Sequence, residues 1–110
     1  MKLPNGDRAI VEVEKLRDYW LSPQHPRGRH KARVFASRLG ITAQHVDILQ
    51  DALVRAARQQ SASLGFADEY GHRYVIDFDM NGPSGRATVR SSWIVRSGES
   101  IARLTSCYVL

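Results

Sequence analysis

The chain has 110 residues, 43% of them hydrophobic and 25% charged, and a formal net charge of +5. This is the composition of one ordinary soluble domain, residues 1–110, long enough to bury a core without staples. No apolar run approaches the ~20 residues that span a membrane, and the lone cysteine, Cys107, excludes an internal disulfide and any cysteine-based zinc site.

Residues 1–6 form a short lead-in with a turn at Pro4-Asn5-Gly6. Ala9 to Val13 are extended or β-like. From Glu14 to Leu21 the pattern is helical, with Leu16, Tyr19 and Trp20 at i, i+3 and i+4 on one apolar face. Ser22-Pro23 ends that helix, because the residue before a proline disfavours the α region. Gln24 to Arg29 is a loop. A second helix starts near Gly28–His30 and runs to Leu39, with Ala32, Phe35, Ala36 and Leu39 facing the core and Gly40 as its C′ residue. Thr42 is a suitable N-cap for a third helix reaching about Gln60, whose buried stripe is Val46, Leu49, Leu53 and Ala56.

After Ser61 the period changes from 3.6 to 2. Ser63–Asp68 reads as a first strand, Tyr70-Gly71 as a turn, and Arg73–Met80 as a strand with Tyr74, Ile76, Phe78 and Met80 on one side. Asn81 to Gly85 is a hairpin loop. Arg86–Val95 alternates again, with Ala87, Val89, Trp93 and Val95 inward and Arg86, Thr88, Arg90 and Ser92 outward. Ser97-Gly98 turns the chain into a last strand, Ala102–Leu110. Local connections predict an α+β domain: N-terminal helices packed on a three- to four-stranded antiparallel sheet.

The stretch Ser22–Gly40 stands apart in charge. It holds His25, Arg27, Arg29, His30, Lys31, Arg33 and Arg38, and no carboxylate. With a pI of about 9.9, it points to a polyanionic partner: RNA, DNA or an acidic protein. The outward face of the strand Arg86–Val95, with Arg86, Thr88, Arg90 and Ser92, is by itself an ordinary solvated sheet surface. Helices usually cover one sheet face and leave the other open. An open face bearing cations and hydroxyls, with Arg103 and Thr105 added from the next strand, is also what a nucleic-acid cleft needs.

Metal-free RNA cleavage uses the substrate's own 2′-OH as nucleophile. It needs a base near that hydroxyl, an acid near the leaving 5′-oxygen and cations on the phosphorane. His25 and His30 have suitable intrinsic pKa values for proton transfer, and Lys31 and Arg90 can supply the cations. A lone histidine is as readily a plain surface residue, and His45 and His72 fit that description better. Asp77 and Asp79 form a D-x-D, but no further carboxylates join them in a metal-site spacing. No Gly-rich phosphate loop and no G-x-S-x-G are present, and Cys107 sits in an apolar strand where a structural thiol is expected.

One long pattern is familiar. Lys15…Tyr19…Leu21…His25-Pro26-x-Gly28-x-x-Lys31-Ala32-x-x-Phe35…Leu39-Gly40 is followed by Tyr70-Gly71-x-x-Tyr74 and by Thr88…Trp93…Leu104-Thr105…Tyr108. Together they resemble a family of small bacterial proteins known only as a domain of unknown function, which occurs alone and as a C-terminal module of phage and polymorphic-toxin proteins. The order of elements, helices before an antiparallel sheet, is similar to the barnase/EndoU/colicin/RelE-like ribonuclease superfamily. That resemblance implies a metal-free site built from His, Lys, Arg, Thr and Tyr. Carried over by position, its candidates are His25, Lys31, Thr105 and Tyr108; His30 and Arg90 come from the residues themselves. Tyr108 lies three residues after Thr105, so a regular strand sends the two to opposite faces, and a bulge is needed to unite them. In a regular strand Tyr108 belongs to the core.

The expectation is therefore a metal-independent endoribonuclease without cofactor, the toxin of a toxin–antitoxin pair. His25, His30, Lys31, Arg90, Thr105 and Tyr108 are its catalytic candidates. Arg27, Arg29, Arg33, Arg86, Thr88 and Arg103 are its nucleic-acid contacts, RNA its substrate and a small acidic antitoxin its partner. No secretory signal opens the chain, which gives a cytoplasmic expectation. The alternatives are a non-catalytic RNA- or DNA-binding module and a partner-binding antitoxin or immunity-type protein. An enzyme requires His25 and Lys31 to converge with Arg90 and Thr105, a binder only a continuous basic surface, and an inhibitor a large apolar patch.

Overall fold

A computed structural model describes all 110 residues. Helix α1 (residues 13–20) starts as an α-helical turn, Val13–Lys15, and continues in π-helical form over Leu16–Trp20. Leu16 and Trp20 are buried and Tyr19 is half-buried. The Leu21 N–H closes the wide turn on the Leu16 carbonyl at 2.8 Å, and Pro23 prevents continuation. Helix α2 (residues 29–39) has the same two-part form, Arg29–Val34 and then Phe35–Leu39. It buries Ala32, Phe35 and Leu39, whereas Ala36, expected on the same face, is exposed. A π turn carries more residues than an α turn, so Phe35 and Leu39 stay inward while Ala36 rotates out.

Gly40 ends α2 at φ 71°, a left-handed conformation that costs glycine nothing. The next helix opens with a capping box. The Thr42 hydroxyl accepts the Gln44 N–H at 3.3 Å, and the Thr42 N–H donates to His45 Nδ1 at 3.1 Å. His45 thus takes the role that a glutamate usually has at that position. Helix α3, Val46–Gln59, follows and buries Leu49, Leu53, Ala56 and Ala57.

Four strands come next: β1 Ser63–Asp68, β2 Gly71–Gly82, β3 Gly85–Arg96 and β4 Ala102–Val109. They form one antiparallel meander in the order β1-β2-β3-β4. The β2–β3 loop is tighter than expected, because Gly82 pairs with Gly85 and only Pro83 and Ser84 remain outside the ladder. Tyr74, Ile76, Phe78 and Met80 lie opposite Trp93, Ser91, Val89 and Ala87, and all eight are buried. The helices cover this face, joining Leu16, Trp20, Phe35, Leu39, Leu49 and Leu53 to it in one core. Ser91, the one polar residue buried there besides glycine, donates to the Ile76 carbonyl at 2.8 Å and accepts the Trp93 indole N–H at 2.9 Å. Both groups are satisfied, so a hydroxyl and an indole sit in the core without an unpaired polar atom.

Two details of β4 place the site. The extended segment before α1 pairs with the start of β4: the Ile10 N–H donates to the Ala102 carbonyl at 2.9 Å, and the Leu104 N–H to the Ile10 carbonyl at 3.0 Å. Then the register slips. Ser92 pairs with Ser106 but Trp93 with Leu104, so Thr105 is an extra residue, a β-bulge.

Candidate functional site: a cationic cleft at the β4 edge

α1 leaves the β4 edge just before the bulge, and α2 returns to it. Between them opens a cleft of about 350 Å³ lined by Lys15, Tyr19, Trp20, Lys31, Thr105 and Ser106. Lys15 and Tyr19 share one helix face at i, i+4. Lys31 projects from the first turns of α2, its Nζ 4.9 Å from the centre of the Tyr108 ring, within range of a cation–π contact. Tyr108 is half-buried, not in the core. It pairs across the ladder with Arg90 on the face away from the helices. The bulge at Thr105 is what lets Thr105 line the cleft while Tyr108, three residues on, also reaches Lys31.

Arg90 holds Asp77 in a two-pronged ion pair, Nε–Oδ1 2.9 Å and Nη2–Oδ2 2.9 Å. The Arg90 guanidinium keeps the Asp77 carboxyl below its ordinary range, and Asp77 first, then Tyr108, push Arg90 above its own. Arg90 is firmly charged, but Asp77 answers that charge. Most of the other outer-face cations are balanced in the same way. Arg86 bonds Asp79 at 3.1 Å, Thr88 donates to Asp79 at 2.7 Å, Arg73 bonds Asp68 at 2.9 Å and Arg103 lies 3.5 Å from Glu99. Asp77 and Asp79, the D-x-D of the sequence, are the partners of these cations.

Unpaired positive charge is densest on α2 and the loop before it. Arg27, Arg29, His30 and Arg33 are exposed, and none of them, nor Lys31, takes part in an ion pair. Lys15, on the far wall of the cleft, is 3.8 Å from Glu12 with both side chains about half exposed, a contact of little energetic weight. The cleft is therefore cationic through Lys15 and Lys31, with the α2 arginines as its approach.

His25 has a structural task. Its Nδ1 accepts the backbone N–H of Arg27 at 3.1 Å and of Gly28 at 3.2 Å, and its ring packs on Tyr19 with centroids 4.2 Å apart. The Cβ of any larger residue at Gly28 would run into the Tyr19 carbonyl, which is how the loop lies so close to α1. With Nδ1 accepting, the neutral ring carries its proton on Nε2. His25 thus ties the loop before α2 to the wall of the cleft and presents a donor, whereas a general base needs a free lone pair. His30, Lys31's neighbour in sequence, is exposed. Cys107 is buried on the inner face, and burial pushes its thiol up to about 12.

Lys31, Thr105, Tyr108 and Arg90 are thus brought to one corner, and His25 touches it through Tyr19. Arg86, Thr88 and Arg103 are spread over the sheet face in contacts of their own. Lys15, Tyr19 and Ser106 line the cleft but were not among the site candidates; Lys15 and Tyr19 stood only in the family pattern, and Ser106 in neither. Lys15 and Tyr19 carried a usable signal, a cation and a phenol one helical turn apart ahead of the basic stretch.

The architecture and this corner define a class: an α+β protein whose helices cover one face of an antiparallel meander and frame a cationic cleft at its last strand. The chain belongs to the family DUF6883, a domain of unknown function, whose model matches residues 2–110. It is also similar to a chain of a solved structure, the "Contact-dependent growth inhibition toxin - immunity protein complex from Klebsiella pneumoniae 342". The TM-score is 0.73 at 18% identity, and the match covers 93% of this chain and 100% of that one. At that identity the likeness is one of fold. No curated protein matches the chain.

Proposed function

We propose that the protein is a metal-independent endoribonuclease that serves as the toxin of a toxin–immunity pair. The observation that carries the reading is the convergence of Lys31, Thr105, Tyr108 and Arg90, from α2, the β4 bulge and β3, beside a cleft with Lys15 on its other wall. The similar solved chain comes from a toxin–immunity protein complex. Carried to this chain, that likeness supports a place in such a system and a protein partner.

In this reading the 2′-OH of RNA attacks the adjacent phosphorus and loses its proton to a base. The P–O5′ bond breaks, the 5′-oxygen takes up a proton, and a 2′,3′-cyclic phosphate remains. Lys31 and Lys15 stabilise the charge that builds on the phosphorane oxygens. Tyr108, with Lys31 over its ring and Arg90 opposite it in the ladder, is the group best placed to move a proton, with exposed His30 second. His25 contributes its Nε2–H as a donor. Thr105 offers a hydroxyl that in the free protein donates to the Ser92 carbonyl at 3.0 Å.

The test is purified protein with end-labelled RNA in the presence of EDTA. Cleavage with a cyclic phosphate product is expected, and none on DNA or on RNA carrying 2′-O-methyl groups. Lys31→Ala should lower the rate by roughly 10²–10³ and Tyr108→Phe by roughly 10²–10⁴. RNA that is bound but left intact overturns the ribonuclease in favour of a binding module. Cleavage that needs Mg²⁺ and is lost in Asp77→Asn overturns the metal-free chemistry.

A second reading, an immunity-type protein that binds a toxin, is favoured by a different observation. β1 and its turn expose Leu64, Phe66 and Tyr70, each about two-thirds accessible at 64%, 67% and 66%, the apolar surface expected of an inhibitor. Inert behaviour towards RNA together with neutralisation of a toxin by the intact protein, lost in Phe66→Asp, is the outcome that establishes it.

A further inference from the structure

We infer that the groove between α3 and the open half of β2 is a docking site for an extended segment of a protein partner. The segment adds to the sheet as a strand and brings a carboxylate to Arg55. The site lies at the opposite edge of the sheet from the cationic cleft and does not depend on the chemistry proposed for that cleft.

The strand lengths create the site. β2 pairs with β3 along its whole length, down to Gly82 against Gly85. β1 pairs with β2 only from Gly71 to Val75, so Ile76–Gly82 has a neighbour on one side and none on the other. Ladder parity tells which groups are left over. The Leu110 N–H donates to the Thr88 carbonyl at 2.9 Å, so the backbone of Thr88 faces β4. Its partner on β2 is Asp79, and that pair does not exchange hydrogen bonds. The N–H and C=O of Asp79, and of Asp77 and Asn81 two residues to either side, therefore point to the open edge. None of these three residues makes a backbone bond outside the regular elements. Unpaired strand groups in a row are a template for one kind of ligand, another extended backbone.

Beside this edge runs a groove of about 260 Å³. Ile48, Ala52 and Ala56 of α3 and Phe78 of β2 provide the apolar part of its lining, and Arg55, with Gln59, Gln60 and Asp79, belongs to the polar part. Ile48 is 41% exposed, and Arg55 has no ion-pair partner. A strand laid along Asp77–Asn81 drops every second side chain into this mixed groove, where apolar ones meet Ile48 and Ala52 and an acidic one meets Arg55. The overall +5 charge favours an acidic partner in the same sense. A second copy fits worse, because two chains of net charge +5 repel and this edge offers Arg55 no uncommitted carboxylate, Asp77 and Asp79 being held by Arg90 and Arg86.

The probe is a phage-displayed library of linear peptides, panned on the whole chain with the Arg55→Glu variant as counter-target. The selected peptide is then synthesised and titrated into isotope-labelled protein. Peptides alternating apolar residues with at least one acidic residue are expected. Binding should move the amide resonances of Asp77, Asp79 and Asn81 and protect those amides from exchange. Arg55→Glu should weaken binding about tenfold or more, the scale of one lost charge-assisted hydrogen bond. N-methylation of alternate peptide amides should abolish binding without any change to the protein. The proposal is overturned if no peptide distinguishes the protein from Arg55→Glu, or if the selected peptides shift residues around Lys31 and Thr105 instead. It is equally overturned if sedimentation shows a dimer that Arg55→Glu dissolves, since the occupant is then a second copy.

Discussion

Tyr108 shows how much one backbone irregularity decides. In a regular strand it would point away from the face that Thr105 uses. The extra residue at the bulge brings both within reach of α2, and Lys31 sits over the Tyr108 ring. Cys107, the residue before it, illustrates the opposite fate. It is fully buried, and loss of hydration pushes its thiol up to about 12, against about 8.5 in an unfolded chain. A raised native pKa gives stability that is intact below the unfolded value and is lost as pH rises through the native one. The stability of wild type relative to Cys107→Ala should therefore fall as pH climbs above about 8.5, as measured by denaturant titration at several pH values. In the same experiments, native protein should resist alkylation until it is unfolded. Rapid native alkylation near neutral pH would show an accessible thiolate and contradict the burial.

At the level of the element, α2 depends on the loop that precedes it. Its N-cap is Gly28, which has no side chain to cap it; the imidazole of His25 instead accepts the two N–H groups of Arg27 and Gly28 just ahead of it. Asparagine can accept N–H groups in such a place and alanine cannot. His25→Ala should cost about 1 kcal/mol of stability, the usual worth of a cap, and disorder the Lys31 wall of the cleft. His25→Asn should recover most of that stability. Activity separates the roles. If His25 positions α2, His25→Asn retains most of the cleavage rate; if it transfers a proton, the rate falls by roughly 10²–10⁴ despite normal folding. Thermal melts and single-turnover kinetics on the two variants decide between them.

Across the whole molecule, charge is sorted by layer. The sheet face carries Arg86, Arg90 and Arg103 with a carboxylate beside each, whereas Arg27, Arg29 and Arg33 around α2 have none. A polyanion should therefore follow α2 into the cleft and not lie across the sheet. If the partner is RNA, binding should weaken steeply with salt, because each neutralised phosphate releases counterions. Replacing Arg27, Arg29 and Arg33 by glutamine should flatten the slope of log K against log salt. Replacing Arg86 and Arg103 should leave it nearly unchanged. Equal effects from the two sets, in filter binding over a salt series, would place the RNA on the sheet face.

The sequence by itself determined the α+β class, the three helices and the four strands, because each rests on local signals: apolar period, Pro23, Gly40, Thr42, and the turns at Gly71 and Gly98. It also offered Lys31 and Thr105 as candidates through a family pattern, but that the two line one cleft came from the tertiary structure. Charge balance was not legible. Asp77 and Asp79 neutralise Arg90 and Arg86 through cross-strand pairing, and pairing depends on register, which residues thirteen and seven positions apart along the chain do not announce. Nor was the shape of the cleft. Lys15 and Tyr19 line it only because the segment around Ile10 clips onto β4 and brings α1 to that edge. The open half of β2 was hidden for the same reason. Whether a strand has a neighbour depends on how far the next strand runs beside it, and only the assembled sheet decides that.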